Sequence, residues 1–343
     1  MSNKQTPKEF LIHNWQGLFL AILLGISAYF FKLLTNSNMS NPLLAALIMG
    51  IIIRTSVKSS RKMAPAFAIA PQIFIPIGIF FYAVKNMNFV QFVDIQPGII
   101  GILIVIMAVY ILVISWLGRQ MNQKDKITCL IAAGSAICGA SAIAIVAPAI
   151  DAESEDISIS LLAVALAAFV GLFIIFPFIA ILFNLSGETY AIMSGSVLQF
   201  TGSVKSAIDN IPYLSSGLPK EELASLALSV KAFRYAGLLV VLPLFASINK
   251  RKFHIPGVLW VFFLAGLMGT WISVSNVEFY KNTLIPIVNP IYNISWSIAM
   301  AAVGLNVDAR MLMSNNGSKA LVMAFAGFFI ATVFFLAAIF VIL

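Results

Sequence analysis

An all-α polytopic membrane protein is the fold class this sequence predicts, on three observations. The 343 residues are 61% hydrophobic and only 10% charged, where an ordinary soluble domain carries roughly 25% charge. Mean hydropathy is +0.99. The apolar residues also gather into long runs separated by short charged gaps, which is the pattern of repeated bilayer crossings and not of a soluble core.

The runs follow in order. Trp15 to Leu34 is apolar apart from Gln16, Ser27 and Lys32, close to the roughly 20 residues a spanning helix needs. The TNSNMSN after it has no small-x-small cleavage signal, so a retained helix is expected and not a signal peptide. Further runs lie at 42 to 57, 63 to 84, 95 to 117, 127 to 150, 157 to 184, 189 to 208, 222 to 248, 256 to 275, 283 to 304 and 318 to 343. The expectation is therefore about eleven transmembrane helices. The seventh, TYAIMSGSVLQFTGSVKSAI, is the weakest: it is rich in Ser, Gly and Thr and holds Gln199 near its centre.

Charge placement gives an orientation. With the N-terminus in the cytoplasm, the inner segments hold 14 of the 21 Lys and Arg and the outer ones five, while the acidic cluster Asp151, Glu153, Glu155 and Asp156 falls outside. That satisfies the positive-inside rule and puts the C-terminus outside. The same scatter in short gaps explains the net charge of +8 without a nucleic-acid footprint. The two cysteines, Cys129 and Cys138, share one apolar run with no nearby His. A metal site or structural disulfide is not expected.

Eleven runs divide as one plus five plus five: an N-terminal segment with an extra helix (1–41), a first five-helix repeat (42–184) and a second, inverted repeat (185–343), all in one membrane-embedded body. An odd number of helices per repeat forces the inversion, an architecture common in secondary transporters. Counting from the second and the seventh run, the fourth member of each set is rich in small residues: AAGSAICGASAIAI and SIAMAAVGLN, followed by DAESED and NVDAR.

Small residues of this kind have two readings. Gly134 with Cys138 and Ser135 with Gly139 could let helices pack closely. Alternatively the fifth run breaks near Gly139, and its freed N–H groups, with the Ser135 and Ser141 hydroxyls, bind an anion at mid-membrane. Lys231 and Arg234 favour the second reading. Lys231 lies nine residues beyond Glu222, roughly 13 Å along a helix, and i, i+3 spacing puts both cations on one face. No acid lies well inside any run, so the pair invites a counter-anion, with snorkelling or pairing as the alternative. Gln199 and Thr201 either orient the ligand or satisfy a neighbouring helix. Gly304, Asn306 and Asp308 either reach the site or end the tenth run. The lack of a central Asp, Glu or His argues against a cation exchanger, and the lack of a nucleophile with its base argues against an intramembrane enzyme.

The segment KDKITCLIAAGSAICGASAIAIVAPAIDAE (124 to 153) closely resembles the hallmark of the YeiH-type family of bacterial inner-membrane proteins, labelled sulfate exporters. The GSV of 195 to 197, LSVKAFRYAGLL (228 to 239) and AMAAVGLNVDARML, ending at Leu312, resemble that family in the same order. The resemblance implies inverted five-helix repeats with crossed discontinuous helices in the fifth and tenth runs, an elevator-like or rocking cycle, and a homodimer. Many members carry a His-acid pair where this chain has Leu198 and Gln199, which disfavours proton coupling and leaves Na⁺ coupling or uncoupled exchange.

The expected function is a secondary transporter of a small anion, sulfate or an organic sulfonate or carboxylate, by alternating access in the bacterial inner membrane. It needs no cofactor. The candidate site is Gly134, Ser135, Cys138, Gly139, Ser141, Gln199, Thr201, Lys231, Arg234, Gly304 and Asn306. An anion channel and a non-transporting receptor stay open as alternatives.

Overall fold

The structure, a computed structural model, describes residues 7–35, 41–57, 64–87, 89–90, 96–211, 218–250, 256–306, 310 and 313–342. Among these residues there is no strand. The helices are α1 (Pro7–Thr35), α2 (Pro42–Val57), α3 (Ala64–Asn86), α4 (Pro97–Gln120), α5 (Asp125–Ala136), α6 (Ala140–Ala149), α7 (Ser154–Val170), α8 (Phe176–Leu182), α9 (Gly187–Val197), α10 (Thr201–Asp209), α11 (Lys220–Phe233), α12 (Leu238–Lys250), α13 (Gly257–Ser275), α14 (Val277–Phe279), α15 (Ile285–Leu305) and α16 (Asn315–Ile342). A π-turn at Gly171–Ile175 joins α7 to α8, and another at Tyr280–Leu284 joins α14 to α15; a 3₁₀ turn at Arg234–Gly237 joins α11 to α12. Eight of the resulting helical segments are long and apolar enough to cross a membrane.

The surface is inverted relative to a soluble protein. Trp116, Phe178, Trp260 and Trp271 are more than half exposed, whereas Lys231 and Arg234 are fully buried. Apolar groups outside and charges within are what a hydrocarbon solvent selects.

The fifth run does not cross. After α5, Gly139 adopts φ +65° and ψ −121°, a conformation essentially reserved for glycine, and α6 returns along α5. A Cβ on Gly134 would lie 2.9 Å from Ile143 Cδ1, although a straight helix would separate the two residues by about 13 Å. At the open end, Lys126 donates to the Asp151 carbonyl and Lys124 pairs with Asp156 at 3.4 Å. The run is a re-entrant hairpin.

The seventh run is a second hairpin, entering from the opposite face. Ser186 caps α9 by accepting from the Thr189 N–H at 3.1 Å. Leu198 and Phe200 are extended, and α9 and α10 both pack along α11, the first half of the eighth segment. The first hairpin instead packs on α12, the second half. The two tips thus meet at the middle of the eighth segment from opposite sides.

Two expectations change. Eight segments of the described residues are long and apolar enough to cross, and α2 is a shorter apolar helix that carries Leu43 near the cavity described below and Gly50 against Ala301 and Leu305. The tenth run is an unbroken helix, α15, so the breaks do not fall at matching places in the two halves. A hairpin followed by a long helical segment occurs at 125–182 and again at 187–250, the two hairpins entering from opposite faces. Removing two crossings together preserves the face of every Lys and Arg outside them, so the charge asymmetry could not reveal the error. The acidic cluster 151–156 moves to the face of Arg119, Lys124 and Lys126.

The helices pack in two groups. α1, α2, α3, α13 and α15 form one; α4, α7, α11, α12, α16 and both hairpins form the other, with lighter contacts between them through α7–α15, α2–α7, α3–α6 and α12–α13.

Candidate functional site

Breaking a helix leaves carbonyls without partners at one side of the break and N–H groups without partners at the other. Each hairpin arm that enters the membrane ends in carbonyls, and each returning arm begins with N–H groups. The protein treats the two ends differently.

The carbonyl ends are closed by the two cations. Lys231 Nζ donates to the Ile137 and Leu198 carbonyls, both at 2.7 Å. Arg234 donates to Ser135 O at 2.7 Å and Ala136 O at 2.9 Å in the first tip, and to Gly195 O at 3.2 Å and Leu198 O at 2.8 Å in the second. Two positive side chains thus neutralise the negative dipole ends of α5 and α9. Tyr110 adds a bond to the Val197 carbonyl at 2.9 Å. The tips themselves touch: a Cβ on Gly139 would lie 2.7 Å from the Phe200 ring.

The N–H ends face a cavity of about 590 Å³. Its floor is Cys138 and Ser141 at the start of α6, with Phe200, Thr201, Gly202 and Ser203 at the start of α10. Thr201 and Tyr235 share a hydroxyl bond of 2.8 Å. Tyr82, Tyr292 and Trp296 form one wall, Trp296 being fixed by its Nε1 bond to the Ile75 carbonyl at 3.2 Å. Lys32, Lys85 and Lys205 line the mouth, and no carboxylate does so among the described residues. Lys85 Nζ donates to Asn289 Oδ1 at 2.7 Å and lies 5.4 Å from the Tyr292 ring centre.

The expected site residues therefore separate. Cys138, Ser141 and Thr201 line the cavity, and Gly139 forms the bend behind it. Lys231 and Arg234 are not free cations awaiting an anion; backbone carbonyls hold both. Gly134 and Ser135 are buried in α5, and Gln199 is buried with its Nε2 donating to Tyr110 Oη at 3.4 Å. Gly304 packs against the Leu47 carbonyl, and Asn306 Nδ2 lies 3.5 Å from Ser154 Oγ at the basic face, so neither lines the cavity. Asp308 lies outside the described residues.

Sequence reasoning missed the wall and the mouth. A signal existed: Asn289, Tyr292, Asn293 and Trp296 are spaced as one helical face inside an apolar run, and Tyr82 and Lys85 are one turn apart.

Long apolar helices, a lipid-type exterior and buried cations at broken helices define a multi-pass α-helical membrane protein. The chain belongs to the family described as conserved hypothetical protein 698, which it matches over residues 16–324; the YeiH-type family corresponds to it. It is 27% identical to a UPF0324 membrane protein of Archaeoglobus fulgidus over 94% of this chain and 92% of that one. A UPF0324 membrane protein of Brucella melitensis is 25% identical, over 88% and 84% of the two chains. One from Staphylococcus epidermidis is 24% identical, over 87% and 88%. No solved structure matches the chain.

Proposed function

We propose that this protein is a secondary transporter of a small anion that works by alternating access. One observation carries the reading: the cavity is floored by the N-terminal ends of two half-helices and rimmed by Lys32, Lys85 and Lys205, with no carboxylate lining it among the described residues. Helix N-termini and ammonium groups both favour negative charge, and the absence of a negative lining group disfavours a cation.

The cavity lies on the face away from Arg119, Lys124 and Lys126. With the basic face in the cytoplasm, the N-terminus is cytoplasmic, the C-terminus is outside the inner membrane, and the cavity opens outward. The division into two packed groups supports an elevator-like cycle, in which the hairpin-bearing group moves against α1, α2, α3, α13 and α15. The tip carbonyls that could hold a coupling Na⁺ already bond Lys231 and Arg234, which favours exchange of one anion for another.

The test is counterflow in proteoliposomes containing the full chain, with labelled sulfate and labelled organic anions. Saturable uptake, accelerated by unlabelled anion inside and weakened by Lys85→Gln, is the expected result. Non-saturating flux would replace the carrier with a channel. Anion binding without flux would replace it with a receptor, and uptake indifferent to Lys85→Gln and Lys205→Gln would overturn the site.

A further inference from the structure

Apart from its lysines and its N–H floor the cavity is lined by Asn41, Asn86, Asn289 and Asn293 and by a larger apolar part. Phe169 and Leu228 contribute from the hairpin-bearing group, and Leu44 and Tyr292 from the other. Tyr292 is locked edge-on to Tyr82, with ring centres 5.6 Å apart at 81°, and to Trp296, at 5.8 Å and 73°. Trp296, itself fully buried, backs the wall. Phe200 closes the floor at 7% exposure. These rings are held in place before any ligand arrives, so an apolar group that meets them loses little further entropy.

A bare tetrahedral oxyanion makes poor use of such a space. The volume of about 590 Å³ falls within the range of sites for organic ligands, about 300–1,000 Å³. An inorganic ion would reach the floor and leave the apolar section wetted. A carboxylate or sulfonate attached to a ring would place its charge at the donors while burying its body against Phe169, Phe200 and Tyr292, gaining free energy from the apolar area removed from water.

We propose that the substrate class of this site is an organic anion with an apolar, ring-sized body, and not an inorganic oxyanion. The proposal rests on the anion-site reading above and adds that the aromatic wall, with Tyr292 at its centre, selects the body of the substrate.

The experiment is thermal unfolding of the purified full chain in detergent with benzoate, benzenesulfonate, acetate, sulfate or neutral benzamide. Benzoate and benzenesulfonate are expected to stabilise the protein at concentrations at least tenfold below those needed for acetate and sulfate, with benzamide inactive. Tyr292→Leu should bring benzoate to the level of acetate, while Tyr292→Phe keeps the preference. Phe169→Ala, at a position 55% exposed, should lower the preference without threatening the fold. Sulfate and acetate acting as well as the aryl anions would overturn the proposal and leave the anion site standing. Equal action of benzamide and benzoate, or no response to any anion, would overturn the anion site and the proposal with it.

Discussion

The Lys231 ammonium lies 2.7 Å from the Ile137 carbonyl oxygen, so a charge near mid-membrane belongs to the backbone of a hairpin tip. The bond it makes to Leu198 at the same distance joins that tip to the other. Lys231→Met should therefore destabilise the protein whether or not an anion is present. With two charge-assisted hydrogen bonds removed and the buried Ile137 carbonyl left open, while Leu198 keeps its bond from Arg234, the loss should reach about 2–4 kcal/mol. Thermal unfolding with and without anion checks this; a loss that ligand fully restores would return Lys231 to the binding site.

Arg234 serves four carbonyls with one planar fork. Lysine cannot reproduce that geometry, so Arg234→Lys should be nearly as damaging as Arg234→Met. The readout is the yield of monodisperse protein on gel filtration, and a well-folded Arg234→Lys variant would contradict the clamp.

The hairpins make a direct topological prediction. In a background of Cys129→Ala and Cys138→Ala, single cysteines at Asn122 and Ala152 should react with an impermeant thiol reagent from the same side of the membrane, and one at Asn184 from the other. A crossing fifth run would put 122 and 152 on opposite sides.

Gly139 should tolerate no side chain. Its positive φ strains any other residue, and an added Cβ would meet Phe200 at 2.7 Å. Gly139→Ala should cost about 1–3 kcal/mol. Adding Phe200→Ala should recover only part, since it relieves the contact and not the backbone. Unfolding midpoints of the single and double variants separate the two contributions.

Gly304 is a packing residue, with an added Cβ falling 2.3 Å from the Leu47 carbonyl. Gly304→Val should lower the unfolding midpoint and leave the midpoint shift produced by bound anion unchanged. A selective loss of anion response would restore it to the site.

The helices were legible because apolar run length reports them directly, and every predicted run is mainly helical where described, the fifth and seventh being interrupted at 137–139 and 198–200. The direction of the chain inside the fifth and seventh runs was not. A continuous crossing and a folded hairpin of 24 residues have the same composition, and the parity of two errors hid them from the charge count. GSAICGA did announce a break, since its small residues and Gly139 permit the bend. SGSVLQF carried the same signal more faintly, with Leu198 and Phe200 in place of glycine, because an extended turn needs no positive φ. The cations were found by depth, but depth says nothing of partners: backbone carbonyls leave no acidic residue in the sequence to betray them. The wall was not legible because Tyr292 and Trp296 lie within the apolar run of α15, where aromatic residues read as ordinary helix packing.

The clamp at the tips carries an electrical consequence. Lys231 and Arg234 bring two formal positive charges to the depth where the hairpins meet, and the groups that balance them are dipoles, not carboxylates. If the hairpin-bearing group travels along the membrane normal, it carries those charges through the transmembrane field, at about 2.3 kcal/mol per charge for a full 100 mV drop. A bound anion offsets part of that work. In a carrier of the kind proposed above, a voltage negative inside would then hold the empty protein toward the cytoplasm and release it most readily when it is loaded.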